Sequence, residues 1–392
     1  MKEYKTAKGL AIFVYIVAPI MLLVFLAILV LPFFDDETPI ELLYFMGPLS
    51  IGMIGIMVVG ILDTKYGKVI ISDDTISLRS TLVNRDLKFE EIEGFRYDTR
   101  YIYILPNTPD KKRIKISTSS IQTDELLSWL ADNFKDLDWE DARKEQQDIL
   151  QNKAFGIDAN ERTANLQQAK TITTILNWIS VLFFCWTLFY PTPYELVVIT
   201  LIAIPIFSLF TVIRFKGLIK LDTKNESPYP SIIIPLGLSS FGLLLRGLMD
   251  FENIYAYSNI WLPTILVAAA LTLPILITQK GINLKAYKNI FSVLILFLFI
   301  GMAYGYGTTI ITNCYYDDSI PTQYTAEIVS KRIDKGKYTT YHFELTPWSN
   351  RTEAEEVTVS ENLYEKMTTG DSVKVYLKEG RFNIPWFMVY EE

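Results

Sequence analysis

The apolar residues of this chain are gathered in long blocks and do not follow an amphipathic pattern. Seven stretches contain no Asp, Glu, Lys or Arg, and each has about 18 or more residues, the length that a helix needs to cross a hydrocarbon core of roughly 30 Å. These stretches are 9–34, 42–62, 171–194, 196–213, 227–245, 253–279 and 289–316. The pattern therefore predicts an α-helical polytopic membrane protein with seven spans.

The basic residues predict how these spans are oriented. Lys and Arg cluster before the first span, after the second, in residues 214–224 and in residues 280–288. The alternate connections hold only one basic residue, Arg246. Because short basic connections stay on the cytoplasmic side, we expect the N-terminus inside and, after seven spans, the C-terminus outside.

Between the second and third spans the apolar pattern changes to a period of two residues. Short β-branched and aromatic runs follow one another, separated by turn residues: "GKVIIS", "TISLRS", "RDLKFEEI", "GFRY", "YIYIL" and "RIKIS". These runs predict six or seven antiparallel strands. The next segment, "TDELLSWLADNF", predicts a helix that Thr123 caps and that places Leu126, Leu127, Leu130 and Phe134 on one face. We expect a small curved sheet closed by this helix.

The order of these elements resembles that of a bacterial pleckstrin-homology-like (PH-like) domain over about residues 64–136. The resemblance rests on the acidic hairpin turn, "LKFEEIEGF", the Tyr-rich strand, the basic strand and the final "LLSWL" helix. It implies a cytoplasmic PH-like domain after a two-helix membrane hairpin, in a bacterial cytoplasmic (inner) membrane. Eukaryotic relatives hold inositol phosphates with basic residues near the first hairpin, whereas the turn here is "SDDT". This acidic turn argues against phosphoinositide binding.

A basic run that begins in the loop before the last predicted strand and continues into that strand leaves two interpretations open. Its charged residues are Lys111, Lys112, Arg113 and Lys115. They are candidates for contact with anionic lipid headgroups, each contributing about 1 kcal/mol at a membrane surface. Alternatively, they keep a solvated sheet face charged and so protect it against edge pairing.

Residues 138–170 are rich in Glu, Gln, Lys, Asn and Ala and predict a polar helical linker. A break near "FGID" divides the linker into two helices. The second helix is expected to continue without interruption into the third span.

Charged residues inside a span are costly, and only Arg246 comes close to that position. Asp250 follows one helical turn later and can pair with it, so the two residues form a possible intramembrane polar site near the outer end of the fifth span. Snorkelling to the interface is the alternative interpretation.

Other residues of the spans predict how the helices pack. We expect interhelical hydrogen bonds from Asn177, Ser180, Ser239 and Ser240. Close helix contacts are expected at Gly301 and Gly305 and at Gly52 and Gly60. Kinks are expected at Pro19, Pro205, Pro235 and Pro274.

After the seventh span, residues 318–392 return to the period of two residues and predict a small five-stranded β-barrel-like domain of SH3-like or OB-like size. His342 is the only histidine and has no catalytic partner at a diagnostic spacing. Trp348 and Trp386 are either partner-binding aromatics or, in so small a domain, its core.

The chain therefore divides into five predicted segments. They are a transmembrane hairpin (1–62), a cytoplasmic PH-like domain (63–137), a polar helical linker (138–170), spans three to seven (171–310) and an extracytoplasmic β-domain (318–392).

The motifs of common enzyme classes are absent from the sequence. It contains no P-loop, dinucleotide fingerprint or nucleophile elbow. The two cysteines, Cys185 and Cys314, form no metal-binding spacing, and an unpaired thiol is expected at Cys314 in preference to a cross-link between chains. No cofactor or catalytic residue is predicted, and the net charge of −7 argues against nucleic acid as a partner.

Two functional hypotheses from different classes remain. The first is a non-enzymatic membrane adaptor or regulator whose soluble domains bind other membrane or soluble proteins, with membrane lipids and a second copy of the chain as further partners. The second is a component of a transporter or channel with a site near Arg246.

Overall fold

The computed structural model describes residues 2–34, 42–118, 123–189, 191–215, 217–223, 226–278, 290–335 and 339–391. The chain forms two compact units. Unit 1 comprises residues 1–147 and 225–228, and unit 2 comprises residues 148–224 and 229–392. Five basic residues on which the orientation rests lie outside the described residues: Lys216, Lys224, Lys280, Lys285 and Lys288.

Unit 1 combines two long apolar helices with two small antiparallel sheets. Its elements are β1 (Lys2–Lys5), α1 (Lys8–Val30), α2 (Leu42–Tyr66), β2 (Lys68–Ile71), β3 (Thr75–Arg79), β4 (Asn84–Lys88), β5 (Ile92–Tyr97), β6 (Tyr101–Pro106), β7 (Ile114–Ser117), α3 (Thr123–Asn133) and most of α4 (Leu137–Gln151), whose last four residues belong to unit 2. One sheet has the order β1-β2-β3-β4 and the other the order β5-β6-β7. All six strands expected in the insert are present.

The seventh strand of unit 1 comes from the N-terminus, before the first apolar helix. β1 pairs antiparallel with β2, with Tyr4 opposite Val69. Tyr4 is only 4% exposed and belongs to the core of the unit. Lys68 also donates a 2.8 Å hydrogen bond to Glu3. The segment that precedes the first span is therefore part of the β-domain and is more than a basic flank.

The two sheets of unit 1 share one apolar core with α3. Alternate residues of the strands point inward, among them Ile76, Ile102 and Ile114. Leu126 and Leu130 of α3 are fully buried against them, while Leu127 and Phe134 pack at the margin, as the periodicity predicts. Thr123 is the first residue of α3, and its hydroxyl donates to the carbonyl of Thr118.

Unit 2 contains five long helices and a C-terminal β-domain. The helices are α5 (Ala159–Phe189), α6 (Tyr194–Arg214), α7 (Ile233–Asp250), α8 (Trp261–Thr278) and α9 (Ile290–Tyr315). α5 begins in the polar linker and continues into the third span, as the sequence predicts. Within the described residues of both units, seven helices are long and apolar enough to cross a membrane.

Glycines allow α9 to approach its two neighbours closely. A Cβ atom on Gly305 would lie 2.4 Å from the carbonyl oxygen of Thr264 in α8, and one on Gly307 would lie 2.4 Å from the carbonyl carbon of Leu243 in α7. A Cβ atom on Gly301 would lie 2.7 Å from the side-chain methyl group of Thr272 in α8. The packing expected from the Gly301–Gly305 spacing is therefore confirmed.

Two other expectations about the helices, the close contact at two glycines and the interhelical hydrogen bonds, are wrong. A Cβ atom on Gly52 or Gly60 would meet nothing within 4 Å, so these glycines do not mark a close contact. The Ser180 hydroxyl donates to Asn177 in its own helix. Among the described residues, the Asn177 side-chain oxygen and the hydroxyls of Ser239 and Ser240 have no hydrogen-bond partner.

The four prolines expected to kink helices differ in their positions within the helices. Pro19, Pro205 and Pro274 lie inside helices. Pro235 lies in the first turn of α7, which begins at Ile233, six residues later than the apolar run. No backbone hydrogen bond inside a helix is lost in the first turn, so a kink at Pro235 is not required.

The C-terminal β-domain is a five-stranded antiparallel sheet with one short helix. Its elements are β8 (Thr322–Lys335), β9 (Thr339–Leu345), β10 (Glu355–Val359), α10 (Glu361–Lys366), β11 (Ser372–Lys378) and β12 (Trp386–Glu391). The strand order is β10-β9-β8-β11-β12, with the long β8 in the centre. Among the described residues β10 and β12 form the two edges, and a seam separates them. Since neighbouring strands alternate in direction, β10 and β12 run parallel.

The glycine contacts of α9 can be tested by one substitution and a matched control. Gly307→Ala places a methyl group against the backbone of α7, so we expect the free energy of unfolding to fall by about 1–3 kcal/mol. Gly237→Ala in α7 meets open space and should leave stability unchanged or slightly raised. Thermal unfolding of the purified protein in detergent measures both, and equal effects of the two substitutions would contradict the packing argument.

Candidate functional site

The connection between α7 and α8 occupies the seam between β10 and β12. The backbone carbonyl of Asn253 accepts a 3.0 Å hydrogen bond from the amide of Phe387 in β12. Its side chain accepts from the amide of Thr358 at 3.2 Å and donates to the carbonyl of Thr358 at 2.9 Å. One residue therefore bonds to both strand edges, with its backbone towards β12 and its amide side chain towards β10.

Neighbouring residues extend this attachment. The amide of Tyr255 donates to the carbonyl of Pro385 at 2.8 Å. The Tyr255 ring packs against Trp348. The Arg351 guanidinium lies 4.4 Å from the centre of the Tyr255 ring and donates a hydrogen bond to the Tyr255 carbonyl. The α7–α8 connection is thus part of the core of the β-domain.

A second attachment joins the end of α9 to the turn between β11 and β12. Asn313, which is fully buried, donates to the carbonyl of Ile384 at 2.8 Å and accepts from the amide of Phe382 at 2.9 Å. Gly380 lies beneath it with φ of 76°, and a Cβ atom there would lie 2.5 Å from the Asn313 side chain. Only glycine satisfies both the positive φ and the close approach.

Asp317 completes this attachment from just beyond α9. Its Oδ2 atom accepts from the indole of Trp386 at 2.8 Å and from the amide of Gly380 at 3.1 Å, and its Oδ1 atom accepts from the amide of Ser319. Lys378 lies 3.8 Å from Oδ2. Burial by itself raises the pKa of Asp317, but the hydrogen bonds from Ser319 and Trp386 and the charge of Lys378 outweigh burial and hold the pKa below its usual value.

The charged pair expected in the fifth span lies at the C-terminal end of α7. Arg246 Nη2 is 3.1 Å from Asp250 Oδ1, and the Tyr194 hydroxyl of α6 donates to Asp250 Oδ2 at 2.8 Å. The Arg246 side chain is 11% exposed. Its Nε atom is buried and has no partner among the described residues. The structure therefore brings Arg246 and Asp250 together and adds Tyr194, which the sequence did not single out.

A cavity of about 430 Å³ opens beside this cluster. Its floor is the α7–α8 connection from Asp250 to Asn253, and its two walls are β12 and the end of β10 with α10. The volume lies in the range of sites that bind small molecules or short segments of chain. Three carboxylates line it, Asp250, Glu252 and Glu391, against one cation, Lys366. The site is therefore concave, partly apolar and acidic.

The basic run of unit 1 lies in the connection between β6 and β7 and in β7 itself. Lys115 Nζ is 3.6 Å from the ring centre of Tyr101, and the Arg113 guanidinium is 4.8 Å from that of Tyr103. Lys111 pairs with Glu91 at 2.6 Å, and Lys112 is exposed. One of the four charges is therefore paired with a carboxylate, and two lie over aromatic rings.

The structure also places the other side chains that the sequence singled out: two tryptophans, one histidine and one cysteine. Trp348 and Trp386 are buried in the β-domain, which confirms their place in its core. The His342 ring contacts the hydroxyls of Thr340 and Thr358. Cys314 is free and 2% exposed, so a cross-link through it is not available. Among the described residues, no group of three or more His, Cys, Asp or Glu side chains is placed to hold a metal ion.

Comparison with protein-family models, with curated proteins and with solved structures gives no match for this chain. The site is therefore interpreted from its own geometry.

The Asp317 attachment gives a prediction with a pH dependence. Asp317→Asn keeps the shape of the side chain but removes its charge, so we expect the free energy of unfolding to fall by about 1.5–3 kcal/mol at pH 7. A lowered pKa means that the stabilisation by the charged form is present above the unfolded value of about 3.9 and is lost as the pH falls through the folded value. The difference between the two proteins should therefore persist from pH 7 to about pH 5 and shrink only in stronger acid.

The matched control is Asp318→Asn, because the Asp318 side chain is 97% exposed. It should unfold like the unsubstituted protein at every pH. Thermal unfolding in detergent, followed by near-UV circular dichroism, measures all three proteins. A difference for Asp317→Asn that is the same at pH 7 and pH 3 would show that the charge of Asp317 does not stabilise the attachment.

Proposed function

We propose that this protein is a non-enzymatic adaptor or regulator of a bacterial cytoplasmic membrane, which binds protein partners through its two β-domains. The observation that carries the proposal is the attachment of the C-terminal sheet to the helices through Asn253, Asn313 and Asp317. These side chains bond mostly to backbone groups of the sheet. A partner that displaces β12 therefore pulls on the ends of α7 and α9, as a regulator requires.

The proposed orientation places the N-terminus and the β-domain of unit 1 in the cytoplasm and the C-terminal β-domain outside. It rests on the Lys and Arg residues that flank alternate helix ends. In this orientation each β-domain faces a different compartment, and partners on opposite sides of the membrane are available to one chain.

The β-domain of unit 1 is proposed to be PH-like. Seven strands in two sheets, closed by α3, support this proposal, as does the acidic hairpin turn at Asp73 and Asp74 that begins the resemblance. Its basic and aromatic face, which carries Arg113 and Lys115, is the proposed contact surface. A protein partner is favoured because stacking on tyrosine rings already occupies both cations, although the same charges would also be attracted to an anionic leaflet.

In-cell photo-crosslinking tests the adaptor function. A photoreactive amino acid is introduced at Tyr390, which is 51% exposed in the C-terminal β-domain, and separately at Lys112 in unit 1. We expect a discrete protein adduct at each position, because both lie on proposed binding surfaces. Leu266, an exposed apolar residue of α8, is the control and should give no discrete protein adduct. Absence of an adduct at both Tyr390 and Lys112 would contradict an adaptor.

The second candidate, a component of a transporter or channel, is favoured by one observation. The Arg246 guanidinium is largely buried beside the cavity and keeps an unpartnered Nε donor among the described residues. A buried cation with a free donor is typical of a site that binds an anionic group.

A paired substitution separates the two candidates. Arg246→Gln combined with Asp250→Asn removes both charges at once and so leaves neither one buried alone. For an adaptor we expect the protein level, the Lys112 adduct and the complementation of a deletion strain to remain unchanged. Loss of complementation with a normal protein level and a normal Lys112 adduct would favour transport. Arg246→Gln alone is the comparison, and we expect it to lower the protein level because Asp250 loses its ion-pair partner.

A further inference from the structure

We propose that the groove between β12 and α10 binds an extended, basic peptide segment of a partner protein, which adds a strand to the free edge of β12. This inference rests on the proposed adaptor function and specifies the chemistry of its outer partner. The occupant is a peptide, because the groove offers both backbone hydrogen-bonding groups and acidic side chains.

The first argument is the edge of β12. One edge pairs with β11 from Trp386 to Glu391. On the other edge, the Phe387 amide donates to Asn253. Backbone groups alternate between the two edges of a strand, so Val389 presents its amide to the same side as Phe387. Within the described part of the chain, the Val389 amide has no hydrogen-bond partner on this side, and the edge is open beyond Asn253.

The second argument is the width of the groove. At its closed end, Asn253 reaches from the Phe387 amide to the backbone of Thr358 with one residue. The seam is therefore only as wide there as one chain segment. Further along, the wall opposite β12 is α10, which carries Leu363 and Lys366. A strand edge that faces a helix across such a groove is an arrangement in which an extended peptide joins a sheet.

The third argument is charge. The groove carries the carboxylates of Asp250, Glu252 and Glu391 but only the cation of Lys366. Lys366 pairs with Glu391 at 3.3 Å, and Asp250 is bound by Arg246 and Tyr194. Glu252 has no ion-pair partner among the described residues and is exposed at the floor. It is therefore the carboxylate that selects a basic side chain in the ligand.

The fourth argument is the apolar part of the lining. Leu363, Phe387 and Val389 line the cavity and pack in the apolar core of the β-domain, whereas Trp386, on the opposite face of β12, packs against residues of α9 and the α7–α8 connection. Successive side chains of an extended peptide point to opposite sides. A segment in which basic and apolar residues alternate therefore presents its cations to Glu252 and its apolar side chains to the face formed by Leu363, Phe387 and Val389.

A defined probe tests the groove in the full-length protein in detergent. The probe is a fluorescein-labelled hexapeptide, Lys-Val-Lys-Val-Lys-Val, and its binding is followed by fluorescence anisotropy. We expect saturable binding that weakens about tenfold, or 1.4 kcal/mol, when the valine amides of the probe are N-methylated, because those amides make the strand hydrogen bonds. The charge-reversed hexapeptide Glu-Val-Glu-Val-Glu-Val should not bind. Equal binding of the methylated and unmethylated probes would overturn strand addition.

Substitutions in the protein locate the binding. Glu252→Lys should weaken binding about tenfold. Glu353→Lys, a charge reversal at an exposed position of the same β-domain that does not line the groove, should change it by less than about twofold. Val389→Pro removes the edge amide without removing a hydrogen bond to β11, and it should weaken binding. Hydrogen exchange should slow at the Val389 amide of the unsubstituted protein when the probe binds.

The outcomes separate this inference from the adaptor function. If the hexapeptide does not bind, or if Glu252→Lys and Glu353→Lys weaken it equally, the peptide groove is wrong. A protein adduct at Tyr390 would in that case still support an adaptor. If neither Tyr390 nor Lys112 gives an adduct, the adaptor function is wrong, whatever the hexapeptide does.

Discussion

The C-terminal sheet has to satisfy two strand edges that its own strands do not cover. Unpaired backbone groups in a buried seam are costly, and the α7–α8 connection removes much of that cost by placing Asn253 between Thr358 and Phe387. Once Asn253 is fixed, the ends of α7 and α8 are fixed relative to the sheet. Asn313 and Asp317 fix α9 in the same way at the turn before β12. The geometry of the cavity, the charged cluster and the free edge of β12 all depend on these attachments.

The sequence predicts local elements well because their signals are local. Long apolar runs locate the helices, and alternation locates the strands. It fails where a short segment depends on distant partners: β1 has one buried apolar residue, Tyr4, and only its pairing with β2 makes it a strand. The same limit hides Asn253 and Asn313, whose hydrogen-bond partners Thr358 and Ile384 lie 105 and 71 residues away.

The residues of the candidate site likewise include some that local sequence signals reveal and others that they do not. Arg246 and Asp250 are detectable because charges are rare within an apolar run, and helical spacing places them together. Tyr194 is not detectable, because tyrosine is common at the ends of membrane helices for other reasons. Ser239 and Ser240 show the opposite error, because the sequence predicts a contact that the structure does not contain. Their position inside an apolar run indicates hydrogen bonds between helices. A small serine side chain, however, also fits a close-packed helix interface without making such a hydrogen bond.

The attachments also decide how a ligand at β12 would act on the helices. Asn253 pairs with Phe387 on the same edge to which Val389 belongs, so an added strand would continue the row of hydrogen bonds that Asn253 begins. Any shift of β12 that accommodates a ligand must move the Phe387 amide, and with it the end of α7 next to Asp250. Asn313 of α9 is hydrogen-bonded to the turn before β12, so the same shift would also displace the end of α9. Because α9 is packed against α7 and α8 through glycine contacts, it cannot move by itself without opening those contacts. A small displacement at the strand edge would therefore affect α7, α8 and α9 together, and the proposed function as a regulator depends on this coupling.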